Sequence, residues 1–229
     1  MTYVQLGRQV HGMTRSGMDC RAGRPAGSAA RVRPAGLPPA AAMSRGGPGS
    51  QQDMDATNLA GLYDSPLLDW SRIEARLGAG LSQAPGTGGP DRHTCWLATI
   101  NPDGSPHVTG IGALWADGTF WFETGKGTRK GRNLARDPRC TLSVATREFD
   151  LVVKGQAALV TDPATVARLA ARWAAEGWPA QVDETGQALT AGYSAPSAGP
   201  PPWHVYRLTA RTATALGTVA PGGATRWRF

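Results

Sequence analysis

Residues 96–144 read WLATINPDGSPHVTGIGALWADGTFWFETGKGTRKGRNLARDPRCTLSV. Two turn motifs divide this stretch, NPDG at 101–104 and ADG at 116–118. A proline followed by a late glycine is typical of a tight β-turn, and Asp-Gly favours a two-residue hairpin. The apolar runs between the turns predict three successive antiparallel strands, 94–100, 105–115 and 119–124, arranged as a meander.

Residues 124–140, TGKGTRKGRNLARDPRC, form what we call the cationic segment, which holds six Lys or Arg, one Asp and three Gly. A helix is predicted from about Arg129 to Arg136, capped by Thr128 or Thr124. Cations in a first helical turn oppose the macrodipole by roughly 0.3 kcal/mol each, whereas an anionic ligand would use them. The segment is therefore either a site for a phosphate or carboxylate, or a solvated helix face partly neutralised by its aspartate.

The flanking sequence predicts two further helices and more strands. Asp69 caps a helix before 70–78, and Asp162 caps a second one that begins at Pro163. With these helices the chain has six to eight mostly antiparallel strands, which is typical of a small antiparallel barrel. The additional strands are predicted at 139–145, 150–160, 203–210, 212–217 and 225–229.

The positive charge of the chain is unevenly distributed. Residues 1–53 hold seven Arg against two Asp, a net charge of +5, whereas residues 54–229 carry 17 Lys or Arg against 15 Asp or Glu, a net charge of +2. The basic character belongs mostly to the tail, so the sequence does not favour a nucleic-acid-binding domain.

The tail, residues 1–53, is rich in Gly, Ala, Pro and Arg and shows no apolar periodicity. Such a composition predicts disorder, and the absence of a continuous apolar run argues against a signal peptide. A start of translation at Met54 would make the tail an extension of the natural protein. We expect the folded domain to span 54–229.

The cysteines and the hydropathy indicate in which cellular compartment the protein is expected. Cys20, Cys95 and Cys140 have neither disulfide-framework nor zinc-site spacing, and Cys95 and Cys140 are expected to be small core residues. No apolar run reaches membrane-spanning length. These features predict a cytoplasmic protein without a membrane partner.

Several familiar catalytic motifs are absent from the sequence. The glycines of the cationic segment lack the spacing of a dinucleotide fingerprint or a Walker motif, and the four histidines are scattered without a nucleophile and acid. The sequence therefore assigns no catalytic residue and no metal. Tyr206 and His204 are the candidates for a proton donor.

Eight tryptophans are many for a chain of this size. Four of them lie in predicted strands or on a helix stripe and are expected to be mostly core: Trp96, Trp115, Trp121 and Trp173. Trp203 and Trp227 have polar or charged neighbours and are expected to line either a planar-ligand pocket or a subunit interface.

The order of these elements resembles the flavin and deazaflavin oxidoreductases of the split β-barrel superfamily named after pyridoxamine 5′-phosphate oxidase. The shared pattern is a strand ending LAT, the turn NPDG, the strand PHVT, a strand of aromatics and K-x-R-N-L-x-x-D-P-R at 130–139. The resemblance runs from about 94 to 160 and is weaker in WHVYRLTARTATAL and ATRWRF.

This resemblance implies a mainly β split barrel of the FMN-binding-protein type, with Greek-key-like strand order and a few helices. It also implies a homodimer with two cofactors at the subunit interface. The implied cofactor-binding residues are Thr109, Gly110 and Ile111 beneath the ring, Thr124 at its edge, and Lys130, Arg132 and Asn133 on the phosphate or tail. Beside these, the charge of the segment makes Lys126 and Arg129 candidates as further cations, and Trp203 is the candidate among the tryptophans for a pocket wall.

Two cofactors fit the resemblance, the deazaflavin F420 and FMN. The F420 tail, a phosphate with an oligoglutamate, is longer and more anionic and would suit the extra cations, which include Arg136. The Ala/Arg/Gly/Pro-rich composition is typical of high-GC actinobacterial coding, where deazaflavin enzymes are common. F420 is therefore favoured, with FMN as the alternative.

The resulting hypothesis is an F420-dependent oxidoreductase that moves a hydride to or from a small organic acceptor. A cofactor that carries the reactive carbon requires no catalytic nucleophile. The C-terminus lacks the Arg- and His-bearing segment of true pyridoxamine phosphate oxidases, which argues against that activity. The alternatives are an FMN-dependent oxidase or reductase, and a non-enzymatic protein that binds a cofactor, haem or a nucleotide.

Overall fold

The computed structural model describes residues 54–83 and 92–229, which contain eleven strands and three α-helices. The helices are α1 (Trp70–Gly78), α2 (Arg129–Arg136) and α3 (Pro163–Ala175). The strands are β1 (Asp55–Asn58), β2 (Cys95–Ile100), β3 (Pro106–Ile111), β4 (Ala113–Ala116), β5 (Thr119–Thr124), β6 (Arg139–Ala145), β7 (Phe149–Val160), β8 (Gln181–Val182), β9 (Leu189–Thr190), β10 (His204–Gly217) and β11 (Ala224–Arg228).

Nine of the strands form one antiparallel sheet. Its main path runs β1-β11-β10-β7-β6-β2-β3, and β5 joins from the side by pairing with both β10 and β4. In the part of the chain that the structure describes, no ladder joins β3 to β4, so the sheet is not closed into a continuous barrel. The mainly β, split-barrel fold predicted from the sequence is confirmed.

The number of strands differs from the six to eight predicted. The predicted strand 105–115 is broken at Gly112 into β3 and β4, and the two predicted strands 203–210 and 212–217 are one strand, β10. Its register shifts at Arg211, a β-bulge that explains why the alternation of side chains changes phase there. Three short strands, β1, β8 and β9, carry no apolar alternation long enough to predict.

The turns and helix ends follow from local sequence. Gly104 has φ 83° in the five-residue loop of the first hairpin. Asp117 and Gly118 have φ 55° and 69° in the second hairpin, the positive values that its two-residue loop requires. Asp69 caps α1 and Asp162 caps α3, each accepting a backbone N–H with its side chain. These local predictions are confirmed.

Two clusters of buried side chains support the sheet. The first is formed mainly by strands of the large sheet and includes Leu97, Phe122, Leu142, Leu208 and Trp227. The second packs β4 and β5 against α3 and includes Leu114, Trp121, Leu169, Trp173 and Trp203.

Two tryptophans have the opposite solvent exposure to the one predicted from the sequence. Trp96 was predicted to be core but is 49% exposed, because its position on β2 faces outward between buried Cys95 and Leu97. Trp227 was expected to line a pocket or an interface but is 1% exposed, because β11 turns it into the core. The alternation of each strand, and not the charge of sequence neighbours, decides the face.

Both described cysteines, Cys95 and Cys140, are buried free thiols, as predicted. Burial raises the pKa of each to about 12. None of the helices in residues 54–83 and 92–229 is long and apolar enough to cross a membrane. The predictions for the tail, residues 1–53, lie outside the described residues.

Candidate functional site

The cationic segment folds as the sequence predicts. Helix α2 spans Arg129–Arg136, and Thr128 is its N-cap, accepting the backbone N–H of Gly131 at 3.0 Å through its hydroxyl. Thr124 is fully buried at the end of β5, and its hydroxyl lies 2.9 Å from that of Thr128. The two threonines together fix the angle at which the chain leaves the sheet and enters α2.

A close backbone contact holds the first turn of α2 against the loop before it. A Cβ placed on Gly131 would lie 2.5 Å from the carbonyl oxygen of Gly125 and 3.0 Å from that of Lys126. Only glycine fits at position 131, since these obstacles are backbone atoms that cannot rotate away. The loop 125–128 is therefore pressed against the start of the helix.

The N-terminal end of α2 presents cations to solvent and has no acid in its first turn. Lys126, Arg129 and Arg132 are exposed, and Arg132 donates to the carbonyl oxygen of Gly127. Cations placed against the positive end of a helix cost free energy unless an anion is bound there.

The acid of the segment serves the other end of the helix. Asp137 pairs with Arg139 at 2.6 Å, and hydrogen bonds from Arg139 lower the pKa of Asp137 to about 2. The solvated-face interpretation requires Asp137 to neutralise part of the charge at the start of α2. Asp137 pairs with Arg139 beyond the other end of the helix instead.

Lys130 differs from its neighbours because its side chain points into the protein. It is 2% exposed, and its ammonium donates to the carbonyl oxygen of Ser197. Burial lowers the pKa of Lys130, and the nearby carboxyl of Glu123 acts in the opposite direction. The predicted phosphate ligand is thus engaged by the chain itself.

Asn133 is also buried, and its side-chain amide is used within the fold. Its Nδ2 donates to Thr99 Oγ1 and to Asn101 Oδ1, both at 3.1 Å. These bonds connect α2 to β2 and to the first hairpin turn. Asn133 was predicted to contact the cofactor, and the structure places it as a structural link.

The predicted ring-binding residues lie at the end of β3. Thr109 and Gly110 are half-buried, whereas the side chain of Ile111 points into the core. Gly110 pairs with Trp96 on β2, and a Cβ on Gly110 would lie 3.9 Å from the Trp96 ring. A half-buried stretch of backbone without a bulky side chain therefore lies beside an exposed indole at this end of the strand.

A segment distant in sequence covers the gap between β3 and α2. We call residues 194–202 the strap. The hydroxyl of Ser197 donates to the carbonyl oxygen of Gly110 at 2.8 Å, and the backbone N–H of Gly125 donates to the carbonyl oxygen of Ala198 at 2.9 Å. The strap thereby connects the predicted ring-binding strand with the loop that begins the cationic segment.

Glu123 lies beneath the strap and was missed by sequence reasoning. It is 5% exposed; its Oε1 accepts from the Ser194 hydroxyl at 3.2 Å, and its Oε2 has no partner among the described residues. Burial raises its pKa to about 7, against weaker opposing effects of Ser194 and Lys130. A charged residue within the aromatic run TFWFET was the available signal.

A cavity of about 530 Å³ opens between the cationic loop and the strap. It is lined by 125–128, by 199–202 and by His204. Burial and the charge of Lys126 lower the pKa of His204, and Asp183 acts in the opposite direction. His204, one of the two residues predicted as a proton donor, borders this cavity.

The other two aromatic candidates lie in the core. Tyr206 is buried and stacks on Phe122 with ring centroids 5.4 Å apart, and burial raises its pKa. Trp203 is buried against Trp178, and its indole N–H donates to the carbonyl oxygen of Gly199 at 2.8 Å. Trp203 therefore anchors the strap from below and does not form an open wall.

The fold brings most of the predicted residues into one region. Thr124 and Lys126, together with the first turn of α2, adjoin the cavity or the loop that lines it, and Gly110 is linked to them through the strap. Asn133 and Trp203 are used as internal contacts.

The comparisons with known proteins agree with this fold. The family model for pyridoxamine 5′-phosphate oxidase matches residues 89–217, more than half of the chain. No curated protein matches the chain.

Several solved structures are similar at low identity. A conserved hypothetical protein from Mycobacterium tuberculosis is 22% identical, with a TM-score of 0.47, over 66% of this chain and 86% of that one. An F420 reductase is 21% identical, with a TM-score of 0.36, over 52% and 87%. An FMN-binding protein from Nostoc punctiforme is 17% identical, with a TM-score of 0.40, over 57% and 78%. On the extent of the family match, the chain belongs to the pyridoxamine 5′-phosphate oxidase family.

Proposed function

We propose that this protein is an oxidoreductase that binds F420 and moves a hydride between the cofactor and a small organic acceptor. The observation that carries the proposal is the N-terminal end of α2, which holds several cations, has no acid in its first turn and adjoins a cavity. A helix start of this kind is suited to a phosphate.

The residues present fit a phosphate-bearing cofactor. The backbone N–H groups of Arg129 and Lys130 have no acceptor among the described residues, since the Thr128 cap serves Gly131 and Arg132. The exposed Lys126 and Arg129 lie beside them. These groups would hold the phosphate, with charge-assisted hydrogen bonds that are stronger than neutral ones.

The ring would rest on the end of β3. Gly110 has no side chain and therefore allows a planar ring to approach the backbone closely. When bound, the cofactor supplies the carbon that gives or accepts the hydride. The protein's own task is to orient the ring and to limit access of water. His204, at the edge of the cavity, is the candidate for holding or moving a proton.

The preference for F420 over FMN rests on the cations that continue along α2. Arg132 and Arg136 are exposed beyond the first turn and would suit an oligoglutamate tail. FMN has only a terminal phosphate, which the first turn alone would satisfy. An FMN-dependent enzyme of the same fold is the second candidate function, and the reducing cytoplasm is the expected compartment for either.

We also propose that two copies of the chain pair through the outer face of β2 and β3. Trp96 and Val108 are 49% and 56% exposed there, on neighbouring strands, although both are large and apolar. Exposed apolar side chains grouped on one sheet face are typical of an interface. Val108→Lys should shift the protein toward monomer in sedimentation, and Val219→Lys, in the turn before β11, is its control.

The test of the cofactor proposal is a titration of the chain from Met54 onward with F420 and with FMN, followed by tryptophan fluorescence. Lys126→Ala/Arg129→Ala should weaken F420 binding at least tenfold, because each charge-assisted contact contributes about 1.5 kcal/mol or more. Arg147→Ala/Arg228→Ala removes the same charge elsewhere and should leave binding unchanged.

Other outcomes redirect the proposal. Binding of FMN alone, with the same sensitivity to the variants, would move the chemistry to the flavin branch. Binding of F420 that does not respond to the Lys126 and Arg129 changes would refute the phosphate site on α2. Tight binding without turnover over a panel of acceptors would favour the non-enzymatic alternative.

A further inference from the structure

The strap occupies contacts that the proposed cofactor would use. Ser197 donates through its hydroxyl to the carbonyl oxygen of Gly110, and its own carbonyl oxygen accepts from the ammonium of Lys130. The next residue, Ala198, accepts the backbone N–H of Gly125. Two consecutive strap residues thus contact the end of β3, the start of the cationic loop and the one buried cation of α2.

The partner of Lys130 is a weak one for a buried charge. An ammonium removed from water requires acceptors, and a backbone carbonyl is a neutral acceptor. No ion pair joins Lys130 to Glu123 within the described residues, although the carboxyl is near enough to favour the charged ammonium. A phosphate or carboxylate oxygen would be the stronger partner for this ammonium.

The strap is held mainly by single polar contacts. Ser194 donates to the Glu123 carboxyl at one end, and Gly199 accepts from the Trp203 indole near the other. Ala198 is the one fully buried residue among 194–202. Segments with little buried apolar surface open at a lower free-energy cost than the core does.

We propose that the strap is a self-inhibitory element: the Ser197 carbonyl and an anionic ligand compete for the Lys130 ammonium, so that ligand binding releases the strap. The inference rests on the proposed function, because it concerns the same end of α2. Glu123 holds one end of the strap by accepting the hydrogen bond of Ser194. The Ser197 carbonyl and the anionic ligand compete for Lys130. Release would also free the Gly110 carbonyl and the Gly125 amide.

Hydrogen exchange with inorganic phosphate as the probe tests the competition directly. Saturating phosphate should raise the exchange rate of the Gly125 amide, which donates to Ala198, and of the Ala198 amide, which donates to Ala195, several-fold, while the amides of α3 stay unchanged. An unchanged or slower strap at every phosphate concentration would overturn the proposal.

Variants of the strap separate this inference from the proposed function. Ser194→Ala and Ser197→Ala each remove one hydrogen bond of the strap and should tighten cofactor binding about 2- to 10-fold. Ser71→Ala, in α1, removes a comparable hydroxyl contact with Asp69 and should have no effect.

The outcomes are distinguishable. Wild-type protein that binds F420 or FMN, with strap variants that bind equally or more weakly, overturns the strap inference and leaves the function in place. If the wild-type protein binds neither cofactor but phosphate still raises exchange in the strap, the strap inference is supported and the proposed cofactor-binding function is refuted.

Discussion

The two ends of helix α2 differ in how their charged residues match the helix dipole. At its C-terminal end Arg136 lies in the last turn and donates to the carbonyl oxygen of Ile100, and Asp137 pairs with Arg139 just beyond. At its N-terminal end Arg129 is exposed, and no acid lies in the first turn. A helix selected for stability alone carries acids first and bases last. Only the end beside the cavity departs from that pattern, which is the reason to assign it a ligand.

The largest expected effect comes from the packing beneath the N-terminal end. Gly131→Ala should cost about 2 kcal/mol or more of unfolding free energy, because its Cβ would meet the Gly125 carbonyl oxygen at 2.5 Å. Gly127→Ala is the matched control, since no atom lies within 4 Å of its added Cβ. Urea unfolding measures both, and equal losses would contradict the close contact.

The next effect depends on pH and concerns the carboxyl that lies near Lys130. The pKa of Glu123 rises from 4.5 to about 7 on folding. Between these values the unfolded chain has lost a proton that the folded chain keeps, so stability falls as pH rises, by on the order of 3 kcal/mol. Above about pH 7 the loss is complete.

Glu123→Gln should remove this pH dependence. The variant keeps an acceptor for Ser194 and has no charge to bury, so it should be more stable than the wild type at pH 8 and similar to it below pH 4.5. Thermal unfolding across this range checks the expectation. Parallel profiles for the two proteins would show that Glu123 is not the titrating group.

Loss of the cap at the N-terminal end should have an intermediate effect. Thr128→Ala removes the acceptor for the Gly131 backbone N–H and should cost about 1 kcal/mol. Thr128→Ser retains the hydroxyl and should restore most of the loss. Denaturant titration of the wild type and the two variants measures these free energies of unfolding. A serine variant as unstable as the alanine variant would show that the threonine methyl group, and not the hydroxyl cap, provides the stability.

The smallest expected effect is that of reversing one charge at each end of α2, which compares the two ends directly. Arg129→Glu should stabilise the fold by about 0.5 kcal/mol, because it places an acid at the positive end of the helix, while it weakens F420 binding. Arg136→Glu should destabilise the fold by a similar amount. Stability and affinity measured together test this opposition; a loss of stability in both variants would mean that Arg129 is a structural cation.

Features set by local chemistry could be predicted from the sequence. The hairpin at Asp117 and Gly118, the caps at Asp69 and Asp162, and the bounds of α2 each depend on a few adjacent residues. The exposed cations Lys126, Arg129 and Arg132 belong to the same class, since they were predicted from one short stretch of sequence.

Features set by contacts between distant segments could not be predicted. Lys130 and Arg129 are neighbours in sequence, yet only Lys130 is buried, because a strap 67 residues away supplies its acceptor. The length of β10 was hidden by the bulge at Arg211, and the role of Glu123 depends on Ser194, which lies 71 residues away in sequence. Each depends on a partner that pattern analysis of one segment does not contain.

The buried thiols make the protein convenient for site-directed labelling. Cys95 and Cys140 are inaccessible in the fold, and their pKa of about 12 leaves almost no thiolate at neutral pH. A maleimide dye added to the folded chain from Met54 onward should therefore react with an introduced cysteine alone. Pro200→Cys would place one fluorophore on the strap, and single-molecule recordings would then follow its opening in real time without removal of any native residue from the core.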